Sequence, residues 1–261
     1  MGIGTAMYNG VSGLSSFSSA MGTVSDNIAN SASTGFKSNS INFGDMVNSY
    51  YSINSNDTEG AGSGSIVLGV STDWAQGTIL NSSQWSNVCM SGEGFFVLND
   101  PITSRVYYTR DGAFHLDGGG NLVNLQGLIV QDINGAPLNV PNQTDYITFR
   151  IETDGMIYGT DSTGVENFLG QMGLATFSNK DGLVRQGNNL YMAGPEVGVT
   201  ITNSPNPGNF GQILDYSLEG SNVDIAKQMV DMIIYQADYN ANSKTITTCQ
   251  NMMDTTINMV R

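Results

Sequence analysis

Ile225-Ala-Lys-Gln-Met-Val-Asp-Met-Ile-Ile-Tyr-Gln-Ala-Asp-Tyr-Asn-Ala-Asn-Ser-Lys-Thr-Ile246 decides how the rest of the chain is read. No Pro or Gly interrupts it, and the run continues on the same terms to Val260. Steps of four and three pick out Ile225, Met229, Met232, Gln236, Tyr239, Ser243, Ile246, Gln250, Met253, Ile257 and Val260. Most of these are apolar, so the spacing predicts one long helix with a coiled-coil-like seam. At the other end Met7, Val11, Leu14, Phe17, Met21, Val24 and Ile28 recur at helical spacing and predict a second helix over residues 2–30. Each stripe needs a partner, and the other terminus is the simplest one.

Working inward, residues 30–35 are rich in Ser, Asn and Gly and stop the first helix. The stretch 36–69 includes Asn54-Ser-Asn-Asp-Thr-Glu-Gly-Ala-Gly-Ser-Gly-Ser65, which has the composition of a flexible linker. From Val70 the chain is punctuated by Asp111-Gly112, Asp117-Gly118, Asn134-Gly135, Asp154-Gly155 and Asp181-Gly182, all turn-forming pairs. Between them lie the short β-favouring runs 94–98, 106–109, 113–116, 147–151 and 174–177. Pro205, Pro207, Gly208 and Gly211 end this pattern, and Ser221 stands as the expected N-cap of the last helix, with Asp224 in its first turn. The expected fold is therefore α+β. Residues 1–35 and 221–261 form a paired terminal-helix domain, 36–69 a linker, and 70–220 an antiparallel β-rich body. Helices of about 57 and about 40 Å outrun what a small β domain can shield. Part of each must be covered from outside the subunit, the layout of an assembly protein.

Composition narrows the partners. The 261 residues carry a formal net charge of −14 with only 9 Lys plus Arg, which removes the electrostatic basis for gripping nucleic acid or an anionic membrane face. Neither a cleaved signal peptide nor an apolar run long enough to span a bilayer is expected. Cys89 and Cys249 sit in no metal-binding or redox pattern and read as buried structural residues. His115 alternates with Phe114 and Leu116 and so falls on the polar face of its strand. No complete nucleotide-binding, nucleophile-elbow or zinc-protease motif is present, and Asp111, Asp117, Asp154 and Asp181 are accounted for by turn geometry. No catalytic, metal or cofactor site is expected. The competing class is a secreted β-rich binding or adhesin module that uses Trp74, Trp85, Tyr107 or Tyr108 as a stacking surface.

Met7-Tyr-Asn-Gly-Val-Ser-Gly-Leu14, Asp26-Asn-Ile-Ala-Asn30 and Thr34-Gly-Phe-Lys37 resemble the opening of bacterial flagellar rod and hook proteins. Gly92-Glu-Gly-Phe-Phe-Val97, Tyr108-Thr-Arg-Asp-Gly-Ala-Phe114 and Gly120-Asn-Leu-Val-Asn124 resemble that family's body. Leu218-Glu-Gly-Ser-Asn-Val-Asp224, Gln236-Ala-Asp-Tyr239 and Ala241-Asn-Ser-Lys-Thr-Ile246 resemble its C-terminal helix. The family positions matched are Asn27, Asn30, Gly35, Phe36, Ser221, Asn222, Asp224, Gln236, Asn242 and Ser243.

The resemblance implies a non-enzymatic axial subunit, exported by the flagellar type III apparatus without a cleaved signal and polymerised with itself into a tube. It further implies contacts with neighbouring axial proteins of the rod, hook cap and hook–filament junction, and a place in the hook or basal body. The segments 2–14, 158–160, 246–248 and 257–261 look most like hook protein, while the length is nearer a distal rod protein. The reading leans to hook.

Overall fold

The computed structural model describes residues 3–54, 57–141, 145–195, 197–202 and 211–260. The expected break at Pro205–Gly208 and the side chain of Val260 lie outside the described residues. The chain divides into two compact units: residues 1–30, 38–73 and 223–261, and residues 31–37 and 74–222.

The first unit holds helix α1 (Ile3–Ala29), strands β1 (Asn39–Asn54) and β2 (Asp57–Thr72), and helix α2 (Ile225–Val260). Both helices occur where the apolar spacing predicts them, and they pack together. The start of α2 differs from expectation. Its cap is Asp224, whose Oδ1 accepts the Lys227 N–H at 3.2 Å, and not Ser221.

The stretch 36–69, expected as a linker, instead supplies most of a long antiparallel ribbon running from Asn39↔Thr72 to Asn54↔Asp57. Its Gly, Ser and Asn content masks the alternation of Ile41, Phe43 and Asp45 against Val70, Val67 and Ser65. A lone hairpin is marginal in water. Here α1 lies along it: Ser16 Oγ donates to Ser65 O at 3.1 Å, and the Phe17 and Phe43 rings stand 5.6 Å apart.

Among its described residues the second unit is built of antiparallel sheets, with one 3-10 turn at Lys180–Gly182. Among the described residues its largest sheet has nine strands, and Phe95–Asn99 lies inside it, paired with Val106–Thr109, Ile129–Val130 and Leu174–Phe177. That position explains the unbroken apolar run Phe95-Phe-Val-Leu98. Phe96 and Leu98 enter one core with Phe114, Leu122, Val130 and Leu174, while Phe95 and Val97 enter a second with Tyr108, Phe177 and Tyr191. A strand buried on both faces needs apolar residues at every position.

Of the turn pairs, Gly135 (φ +76°) and Gly155 (φ +73°) adopt the left-handed conformation that the sequence predicts. Gly112 has a different reason to be glycine, since a Cβ there would strike the carbonyl of Val88. His115 is exposed beside buried Phe114, as alternation requires.

Candidate assembly site

The residues that α1 buries are Gly10, Gly13, Ser16, Ala20, Val24 and Asn27, a line of mostly small side chains at steps of three and four. A Cβ on Gly13 would come within 2.8 Å of the Asn242 side chain, and one on Gly10 within 2.9 Å of Ile246. Small residues let the backbones approach closely, so the intramolecular contact runs along this line. The predicted stripe lies beside it. Val24 alone of that stripe is buried; Met7, Leu14, Phe17, Met21 and Ile28 are half-buried, and Val11 is 55% exposed.

On α2 the offset repeats. Gln228 and Cys249 are buried and Asp231, Met232, Tyr235, Asp238, Asn242 and Ile246 half-buried, which traces the inward face. Among its described side chains the predicted seam shares only Met232 and Ile246 with that face. Ile225, Met229, Gln236, Tyr239, Ser243, Gln250, Met253 and Ile257 are exposed, Met229 by 53% and Ile257 by 63%. Val230, Ile233, Ile234 and Met259 add to the exposed apolar surface. Helix α2 thus carries large apolar side chains on faces that its intramolecular contact, which includes Gln228, Asp231, Asp238 and Asn242, leaves uncovered.

A buried polar joint fixes the register of this unit. Asn27 is fully buried; its Nδ2 donates to Asn39 O at 2.7 Å and Gln228 Oε1 at 2.9 Å, and its Oδ1 accepts the Asn39 N–H at 2.9 Å. One side chain thus ties α1, the foot of β1 and the first turn of α2. Above it Phe17, Phe43 and Tyr235 form an aromatic triangle with centroids 5.6–6.2 Å apart. Burial raises the Tyr235 hydroxyl above its ordinary value, with Asp231 and Asp238 adding to the effect. Asn30 closes α1 by donating to Asp26 O and Oδ1, both at 2.9 Å.

The remaining family-matched positions belong to the second unit. Gly35 (φ +65°) donates its N–H to Glu219 O at 2.7 Å, and the guanidinium of Arg185 lies 5.2 Å over the buried ring of Phe36. Asn222 donates its N–H to Phe36 O at 3.4 Å and its Nδ2 to Ala75 O at 3.1 Å. Ser221 is half-buried between Gly220 and Asn222.

At the centre of these contacts is an ion cluster that sequence reasoning did not single out. Lys37 Nζ lies 2.5 Å from Glu219 Oε1, and Arg110 Nη1 3.4 Å from Glu219 Oε2, all three side chains being at most 5% exposed. Neighbouring Cys89 is fully buried, and burial pushes its thiol up to about 11, so it remains protonated and inert at neutral pH.

Among the described residues no group of three or more His, Cys, Asp or Glu side chains is placed to hold a metal ion, and no helix is long and apolar enough to cross a membrane. What the geometry offers is surface: large apolar side chains left outside a helix pair to whose contact α1 turns mostly small residues.

Three stretches match known families. Residues 7–37 match the family described as flagella basal body rod protein, residues 89–159 the flagellar hook protein FlgE/F/G D1 domain, and residues 215–259 the flagellar basal body rod FlgEFG protein C-terminal family. The chain is 31% identical to flagellar basal-body rod protein FlgG of Bacillus subtilis (strain 168), covering 98% of this chain and 99% of that protein. It is 32% identical to the protein of the same name from Buchnera aphidicola subsp. Schizaphis graminum, over 89% of this chain and 91% of the other. With flagellar hook protein FlgE of Salmonella typhimurium it shares 24% identity, over 95% of this chain and 98% of that protein.

Proposed function

Since this chain belongs to the bacterial flagellar rod and hook protein family and is a structural subunit of the flagellar axis, we propose that it polymerises through the exposed faces of α1 and α2. The observation that carries the proposal is the division of labour on the helices, where α1 turns mostly small residues to the intramolecular contact while Val11, Met229, Ile233, Met253 and Ile257 face out. Fully burying such a side chain from water is worth roughly 1.5–3 kcal/mol, and since these are already about half covered in the single chain, each adds about half of that on assembly. Further copies of the same chain are the first partners. Adjacent rod, hook-cap and hook–filament junction proteins follow at the ends of the segment, and the type III apparatus delivers the subunit.

Length supports the distal rod as the segment. The alignment to the Bacillus rod protein spans 265 residues, whereas that to the Salmonella hook protein stretches to 406, well beyond the 261 of this chain. The hook-like segments 2–14, 158–160, 246–248 and 257–261 support the hook as second reading. Imaging basal bodies from a strain lacking the gene separates the two. Structures that stop short of the distal rod are expected; complete rods without hooks would favour the hook, and intact flagella would overturn the axial role.

A further inference from the structure

The chain passes between its two units at 30/31, 37/38, 73/74 and 222/223. Three of these crossings adjoin segments that the second unit gathers around one carboxylate. Glu219 takes Lys37 Nζ at 2.5 Å and the Gly77 N–H at 3.0 Å on Oε1, and Arg110 Nη1 at 3.4 Å on Oε2. Lys37 Nζ also donates to Ala75 O at 2.7 Å. The backbones interlock around the cluster: Gly35 N–H to Glu219 O at 2.7 Å, Gly220 N–H to Thr78 O at 2.7 Å, and Asn222 N–H to Phe36 O at 3.4 Å. A Cβ on Gly77 would collide with the Gly220 carbonyl, and one on Gly35 would lie 2.5 Å from the Asp111 nitrogen. Arg110 directly follows strand Val106–Thr109, which pairs with the central Phe95–Asn99, so the cluster is anchored in the body's main sheet.

Two cations and one anion, all buried, are an expensive way to hold a fold together, because desolvation commonly exceeds the attraction of the pair. Burial accordingly pulls the Arg110 guanidinium below its ordinary value in spite of the carboxylate beside it. What such a cluster supplies that apolar packing does not is direction, since donors and acceptors fix where each backbone segment lies. We propose that Lys37, Arg110 and Glu219 are positioning residues that couple segments 35–37, 75–78 and 219–222, so that three of the four connections between the units open and close as one body. The proposal is independent of what the helices assemble into.

Amide hydrogen exchange on the full chain tests it. In the wild-type protein the Gly35, Gly77, Gly220 and Asn222 amides should share one opening free energy and one denaturant dependence, the mark of a single cooperative unit. Replacing the cluster with apolar residues (Lys37→Met, Arg110→Met and Glu219→Leu together) should leave exchange in strand 95–99 unchanged while those four amides speed up by about tenfold or more. Wild-type amides that open separately, with different denaturant dependences, would overturn the coupling. So would a folded triple variant in which they keep wild-type rates, or in which they and strand 95–99 speed up alike. Should the triple variant fail to fold, the wild-type measurement decides alone.

Discussion

Asp111 is held near the ion cluster with its carboxyl raised above the ordinary value; burial is the largest cause, opposed by hydrogen bonds from Thr34 and the Ala113 N–H. A raised folded-state value means that the folded protein holds this proton more tightly than the unfolded chain does. The associated stability is present below the ordinary carboxylate value, about pH 4, and is lost as pH rises through the raised one. Asp111→Asn, which keeps an acceptor for Ala113, should therefore gain on the wild type as pH climbs from about 3 to 7. Paired denaturant titrations across that range check it; a pH-independent difference contradicts it. This residue was legible in the sequence only as a turn former. Lys37 and Glu219 were quoted there within matched motifs but not as partners, because nothing local in the sequence reports an ion pair between residues 182 positions apart. A lysine and a glutamate in glycine-flanked segments of a chain with so few cations were the only signal.

At the scale of elements, periodicity found both helices and missed by about one residue the face on which they meet. A search for large apolar residues finds the strongest stripe, and on these helices that stripe is mostly not the intramolecular contact. Close approach sets Gly10 against Ile246 and Gly13 against Asn242, and the glycines on α1 and the asparagine on α2 score as gaps in an apolar pattern. The pairing can be tested on α1 alone. Gly13→Leu, driven into Asn242, should abolish assembly while the body keeps its melting transition. Gly22→Ala, with open space around its Cβ, should assemble normally and firm the helix by about 0.5–1 kcal/mol. Equal behaviour of the two variants would show that helix approach is not the requirement.

The polar joint makes a second expectation. Asn27→Ala strands the Asn39 N–H and carbonyl in a buried site, at about 1–3 kcal/mol for each group left unmade. Amide protection at Asn39 in assembled material should collapse; retained protection would show that the joint is dispensable. The ribbon was the element least legible, since strands rich in Gly, Ser and Asn that lean on a helix carry little apolar signal of their own.

At the scale of the whole molecule, little of the net charge lies on the helices. The chain is −14, yet α1 carries a single charged residue, Asp26, and α2 only Lys227, Asp231, Asp238, Lys244 and Asp254. Helices of so little net charge, a single Asp on α1 and two Lys against three Asp on α2, can crowd against copies of themselves without the repulsion that the acidic remainder would impose. The β-rich body was read correctly in class because its turns and short strands are local signals. The regrouping of residues 38–73 with the helices was not, because it depends on contacts that bring distant segments together.

The central claim is that the outward faces of α1 and α2 are the polymerisation surface. Electron cryomicroscopy of the assembled axial segment, at a resolution that shows side chains, addresses it most directly. Val11, Met229, Ile233, Met253 and Ile257, exposed in the single chain, should each be buried against helices of neighbouring copies. An assembly in which these side chains remain open to solvent, with subunits joined through their β bodies alone, would contradict the account.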